Sequence, residues 1–324
     1  MHMIAVPANK SFSARVSRGA GSGQSPPRLR PLMPTVRDYW ELTKPRISYL
    51  VLTTVFLGYY LGLRAAGIDW GHISTWLTGG HLLLGSLLAS GGVSTLNEYL
   101  ERDRDSLMRR TAGRPIPSGR ISPRAARNFG LIIATAGVLE LTLYTHWMTG
   151  MLTFLTIVTY LAIYTPLKRI TTWNTLAGAV PGALPPVGGW VAAGGQVGGE
   201  ALILFAILFC WQIPHFLALA LIYRVDYARG GFKMMPLVRS MAYTGAHMIG
   251  FSLALIAASL ALYAVSGGSM IYVFGSILLG TTMLAASVVA ARRPVLKHAR
   301  RLLITSVLYL PALLFLILFD RVIA

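Results

Sequence analysis

A single cysteine, Cys210, stands in 324 residues, so no internal disulfide can form. It lies in an apolar run, where it reads as packing. Acidic residues are scarce, with 11 Asp and Glu against 29 Lys and Arg. Charged residues of both signs make up only 12% of the chain, about half the share of an ordinary globular domain. Hydrophobic residues make up 54%, and the mean hydropathy is +0.59. So little polar surface excludes a water-soluble fold and predicts a membrane protein. The formal net charge of +18 would suit nucleic acid if it lay along one face. No nucleic-acid motif accompanies it, and the basic residues fall between apolar segments. Nucleic acid is therefore set aside as a partner. Membrane topology, lipid headgroups and an anionic substrate remain.

Nine apolar segments follow one another, at roughly 46–64, 81–100, 128–146, 148–165, 174–193, 200–221, 243–265, 270–291 and 302–320. Each is close to the ~20 residues that cross a bilayer core as a helix. Helices are the economical choice, because backbone groups in lipid must be bonded within their own segment. The expected fold is all-α and polytopic, with nine transmembrane helices over residues 38–324. Residues 1–37 form a flexible basic tail. Its first 34 residues have no acid, which also resembles a mitochondrial transit peptide, but Pro26-Pro27 interrupts any amphipathic helix there. With the N-terminus in the cytoplasm, 27 Lys and Arg fall on the inner side and only Arg64 and Arg321 on the outer. Positive charge stays inside, so the alternative orientation is disfavoured.

The chemistry-bearing segment runs from Asn97 through Glu98, Tyr99, Leu100, Glu101, Arg102, Asp103 and Arg104 to Asp105, where the second apolar segment closes. Asn97, Glu101 and Asp105 are spaced i, i+4, i+8, which places three oxygen ligands near one helix face over about 12 Å. Hard oxygen ligands suit Mg²⁺ bridging to substrate phosphates. The same spacing also fits a solvated helix end whose acids pair with neighbouring arginines. The continuation Asp105-Ser106-Leu107-Met108-Arg109-Arg110-Thr111-Ala112-Gly113-Arg114-Pro115 sets cations beside the acids, as a diphosphate requires.

This pattern, Asn-x3-acid-x3-Asp-x2-Met-x-Arg-Thr-x2-Arg-Pro, resembles the first signature of the UbiA-type prenyltransferase superfamily, in the form of its heme-specific branch. Glu101 stands where Asp is usual. Tyr164-Thr165-Pro166-Leu167-Lys168 matches the superfamily's Tyr-x3-Lys element. Trp211-Gln212-Ile213-Pro214-His215-Phe216, with the later Asp226-Tyr227-Ala228-Arg229, is similar to the heme-specific branch. The superfamily's second Asp-x3-Asp motif is incomplete: Asp226 matches its later acid, but Ile222 occupies the earlier position.

The resemblance implies a UbiA-type fold and a Mg²⁺-dependent farnesyl transfer from farnesyl diphosphate to a vinyl group of heme b. Water addition completes heme O. It assigns the metal to Asn97, Glu101 and Asp105, with Asp226 helping to hold a second ion. Lys168, with Arg110, Arg114, Tyr164 and Arg229, would bind the diphosphate. Gln212 and His215 would face the heme, His215 through the iron, a propionate or a proton. Expected surroundings are membrane lipid in a bacterial inner membrane rather than a mitochondrial one. Heme A synthase or oxidase assembly machinery are the expected contacts. A UbiA-type enzyme acting on a quinone precursor or chlorophyll-like acceptor, or a transporter of an anionic solute, would share parts of this pattern. The Gly/Pro-rich stretch from Gly178 to Gly189 is expected to interrupt its helix, lining a cavity or packing closely.

Overall fold

The computed structural model describes residues 35–194 and 196–323, so most of the predicted basic tail lies outside the described residues. The described residues are helical throughout, without strands. Helix α1 (Val36–Leu42) is followed by α2 (Pro45–Ala65), α3 (Ile73–Asp105) and α4 (Pro123–Tyr144). Then α5 (Trp147–Val158) runs through a π-helical stretch (Thr159–Tyr164) into α6 (Thr165–Ile170). Next come α7 (Asn174–Ala192), α8 (Gly199–Ile222), the short α9 (Arg224–Arg229) and α10 (Met235–Val238), and finally α11 (Met241–Ser266), α12 (Met270–Arg292) and α13 (Leu296–Ile323).

Seven stretches are long and apolar enough to cross a membrane: α2, α4, the α5–α6 run, α8, α11, α12 and α13. The other two predicted spans, α3 and α7, fall outside this group on composition. Both are turned to the interior. The buried residues of α3 include Ser94, Thr95, Asn97, Glu98, Glu101 and Asp105. Those of α7 are mostly Gly, Ala, Pro and Val. Helix α3 also begins at Ile73 rather than near residue 81. His81 lowers the hydropathy there, yet the helix accommodates it: partly exposed, it lies 2.7 Å from Glu140 on α4. Large apolar side chains such as Ile132, Phe274 and Phe315 point outward, as in a bundle solvated by lipid.

The Gly/Pro-rich stretch does not break its helix. Pro181, Pro185 and Pro186 all lie within α7, which remains continuous from Asn174 to Ala192. A proline normally costs a helix its bond and crowds the preceding turn. Here the neighbouring helices hold it on either side. Gln212 of α8 donates to the carbonyl of Ala179 at 3.3 Å, and Thr149 of α5 donates to that of Gly188 at 3.2 Å. The glycines serve contact: a Cβ at Gly58 of α2 would strike the Pro186 carbonyl, and one at Gly189 would strike that of Val55. Helices α2 and α7 thus meet backbone to backbone. The same stretch also lines a cavity. Cys210 is buried in the main apolar core with Ile207, Trp211 and Leu310.

Candidate active site

The last turns of α3 are built around buried acids. Asn97, Glu98, Glu101 and Asp105 are each 5% exposed or less. Four buried polar side chains on one helix need partners from elsewhere, and the next loop supplies some of them. Thr111, itself fully buried, donates to the Asp105 carbonyl at 2.8 Å and folds the loop back over the helix end. Arg114 thereby reaches Asp105 at 2.7 Å and Glu98 at 3.5 Å. The Thr-x2-Arg element is a device for returning one guanidinium to two carboxylates. Burial works against the charge of Arg114, but Asp105 and Glu98 hold its pKa above the ordinary value.

Lys168 approaches from α6. Its ammonium lies 2.8 Å from Glu101 and over the Tyr164 ring, 4.5 Å from the centroid. The π-helical turn beneath it brings Tyr160 and Tyr164 into edge contact. Such turns often sit at functional positions. Thr165 donates to the Tyr160 carbonyl and receives a bond from Asn97 at 3.3 Å, which ties the turn to α3. Lys44 enters from the other side, 3.6 Å from Glu98 and 3.5 Å from the Asn97 side-chain oxygen. Its backbone is left-handed, at φ 48°, and it precedes Pro45. A non-glycine residue in this region is strained and marks a constrained site. Burial, with Arg114 close by, pulls its ammonium down to about 8.

Asp226 arrives on α9. Its carboxylate accepts from the Arg109 backbone N–H at 3.3 Å, so it meets the loop just beyond Asp105. Arg104 fastens the chain after α9 by donating to the Gly230 carbonyl at 2.6 Å. Arg110 lies over the Tyr223 ring at 5.0 Å, and Arg229 is exposed on the same short helix. Asn97, Glu101, Asp105, Arg114, Tyr164 and Lys168 are therefore brought into one cluster; Asp226 meets its adjoining loop at Arg109, Arg110 lies against Tyr223, and Arg229 is exposed on α9. Among the described residues, no three His, Cys, Asp or Glu side chains converge as a ready metal site. Glu101 is turned onto Lys168 and Asp105 onto Arg114 instead.

Below this cluster lies a cavity of about 480 Å³, lined mainly by apolar side chains from α2, α3, α5, α7 and α8. Lys44, Tyr160 and Tyr164 belong to both cluster and cavity wall, so the charged and apolar regions adjoin. Gln212 and His215 lie on the wall as well. Gln212 directs its amide N–H groups to the carbonyls of Ala179 and Leu208, so it braces α7 against α8. His215 stacks on Trp211 with centroids 5.0 Å apart and bonds Ser306 of α13 at 2.8 Å.

Lys44, Glu98, Tyr160 and Thr165 were not singled out by the sequence. Lys44 is isolated in the chain, and a cation before proline reads as ordinary positive-inside charge. Glu98 was passed over because the i, i+4, i+8 pattern begins at Asn97. It still lies within a quarter or so of the helix circumference from the other three.

This arrangement, buried acids and cations above an apolar chamber, defines an enzyme for an amphipathic phosphate-bearing substrate. The chain belongs to the UbiA prenyltransferase family, which it matches over residues 51–317, and it is a multi-pass membrane protein. It is 43% identical over 298 residues to the protoheme IX farnesyltransferase of Solibacter usitatus (strain Ellin6076), covering 88% of this chain and 99% of that protein. Its fold is similar to a solved digeranylgeranylglyceryl phosphate synthase, with a TM-score of 0.73 at 13% identity over 89% of this chain and 99% of the other. A UbiA homologue from Archaeoglobus fulgidus bound to GPP and Mg²⁺ superposes with a TM-score of 0.60 at 16% identity, covering 86% and 99% of the two chains.

Proposed function

We propose that the protein transfers the farnesyl group of farnesyl diphosphate to a vinyl group of heme b, with addition of water, giving heme O. The observation that carries this reading is the junction at Lys44 and Tyr164, where a buried acid–base cluster opens onto an apolar cavity. A diphosphate head and an isoprenoid tail need those two environments side by side. The similarity to protoheme IX farnesyltransferases supports the choice of acceptor and donor.

The oxygen donors fit a hard divalent cation. Glu98 Oε2 is buried without a hydrogen-bond partner, next to Asn97, Glu101 and Asp105 on the same helical sector. These residues, with Asp226 at the rim, would hold Mg²⁺, which when bound neutralises charge on the leaving diphosphate. Lys168, Arg114 and Arg110 bind the diphosphate oxygens, and Arg229 adds charge at the rim. Tyr164 orients the Lys168 ammonium. The acids and bases of the cluster now neutralise one another. A diphosphate arriving with its cation exchanges partners with them and leaves no buried charge uncompensated.

Fixed cations stabilise the negative charge that develops as the C1–O bond of the donor breaks. The allylic cation left behind lies against apolar walls that keep water away. The vinyl π electrons of heme b form the new C–C bond, and the cation that results on the porphyrin side chain takes up water and releases a proton. Gln212 shapes the wall by holding α7 to α8. The same reading puts the cluster and the N-terminus on the cytoplasmic face of a bacterial inner membrane. Contact with heme A synthase or oxidase assembly machinery then follows as a way to hand on an apolar product.

The test is incubation of the purified protein in lipid with heme b, farnesyl diphosphate and Mg²⁺, followed by mass spectrometry of the extracted hemes. A heme heavier by a farnesyl unit plus water is expected. Prenylation of a quinone precursor in its place, with heme left unchanged, would overturn the assignment.

A further inference from the structure

His215 and Ser306 face each other across α8 and α13, and their hydrogen bonding fixes more than a contact. The Ser306 side chain is fully buried. Its Oγ lies 2.7 Å from the Leu303 carbonyl, which can only accept, so the hydroxyl proton is directed there. The hydroxyl has no second proton. For both contacts to be hydrogen bonds, Oγ accepts from His215 Nδ1, 2.8 Å away, and Nδ1 carries the proton. A neutral imidazole protonated at Nδ1 has its lone pair at Nε2. That nitrogen has no hydrogen-bond partner among the described residues, and His215 lines the cavity.

The ring is also held in orientation. Trp211 stacks on it with the two planes 25° apart, and the Trp211 indole N–H donates to the Ser306 backbone carbonyl at 2.8 Å. One residue of α13 thus anchors both rings of α8, one by its side chain and one by its backbone. Holding one ring nitrogen as a donor so that the other serves as a ligand is the usual arrangement around a metal-binding histidine. The adjoining wall, with Phe216, Leu219 and Leu310, is apolar and suits a macrocycle.

We infer that Ser306 is a positioning residue that locks His215 in the Nδ1–H tautomer, so that Nε2 binds the iron of the acceptor heme as an axial ligand. This rests on the proposed heme acceptor. It narrows the three roles open to His215 to one atom and adds a residue of α13 to the site. Ligation would also fix the height of the porphyrin in the chamber and so present its edge to the allylic carbon.

The experiment uses the full chain in nanodiscs, titrated with ferric heme b and, separately, with iron-free protoporphyrin IX. The wild-type protein should give the optical and EPR spectrum of an imidazole-ligated heme. His215→Ala should lose that spectrum and regain it on addition of imidazole. Ser306→Ala should weaken heme affinity by about 10- to 100-fold, the cost usual for removing such a support. Ser306→Thr, which keeps the hydroxyl, should restore it. Protoporphyrin affinity should stay the same across all four proteins, which also reports that they are folded. An unchanged heme spectrum in His215→Ala, or wild-type heme affinity in Ser306→Ala, would overturn the inference while porphyrin binding left the acceptor reading standing. Failure of the wild-type protein to bind protoporphyrin would overturn the acceptor reading and this inference with it.

Discussion

The Lys168 ammonium lies 2.8 Å from the Glu101 carboxylate and rests on the face of Tyr164, with both charged side chains at or below 10% exposure. Removing one partner of a buried pair leaves the other charge without compensation, at a cost of about 3–5 kcal/mol. Lys168→Met should therefore lower the thermal stability of the detergent-solubilised protein clearly, and so should Glu101→Met. The double variant should recover most of that loss and none of the activity. Recovered turnover in the double variant would show that neither residue acts on substrate.

Asp105 is 1% exposed and held by Arg114. Asp105→Asn keeps its size, and Arg114 retains Glu98 as a charge partner at 3.5 Å, so the fold should survive. If the cluster binds a divalent cation, turnover should fall by at least about a hundredfold, as when a main electrostatic group of a site is lost. Full activity at saturating Mg²⁺ would remove Asp105 from the metal site.

Burial holds Lys44 near 8, below the ordinary lysine value. Between about pH 8 and pH 10 the unfolded chain then binds more protons at this residue than the folded one, so this residue makes stability rise with pH. Below about pH 8 both states carry the charge and the folded state bears its full desolvation cost. Unfolding measured in chelator over this range should show the rise in the wild-type protein and a flatter profile in Lys44→Met. Identical profiles would contradict the burial of this ammonium.

Gly58 and Gly189 leave no room for a side chain where α2 meets α7. Gly189→Ala should force the helices apart at a cost of about 1–3 kcal/mol, read as a lower unfolding temperature. Because both helices wall the cavity, farnesyl diphosphate binding should weaken in parallel. A stable variant with unaltered binding would mean that the interface yields freely.

Membrane orientation can be checked by cysteine labelling once the native, buried Cys210 is replaced. In a Cys210→Ser background, a cysteine introduced at Arg110 should react with an impermeant reagent in inverted vesicles and not in right-side-out ones. The opposite pattern would reverse the assigned topology.

Composition settled that this is a membrane protein, because the chain has too little polar surface to face water on all sides, and the length of its apolar runs settled that it is helical. Local spacing settled where α3 would end and that Asn97, Glu101 and Asp105 would share a face, since 3.6 residues per turn fixes that relation without reference to the rest of the fold. Three matters needed the tertiary structure. Helix α7 stays continuous through its prolines while packed among its neighbours, where Gln212 and Thr149, distant in sequence, bond its Ala179 and Gly188 carbonyls. Lys44 becomes part of the site because a strained turn carries it to Glu98, 54 positions further along the chain. Ser306 acquires its meaning only when α13 packs against α8 and its single hydroxyl proton is already committed. In each case the partner comes from another helix, and no period within one segment can specify what a different segment will present to it.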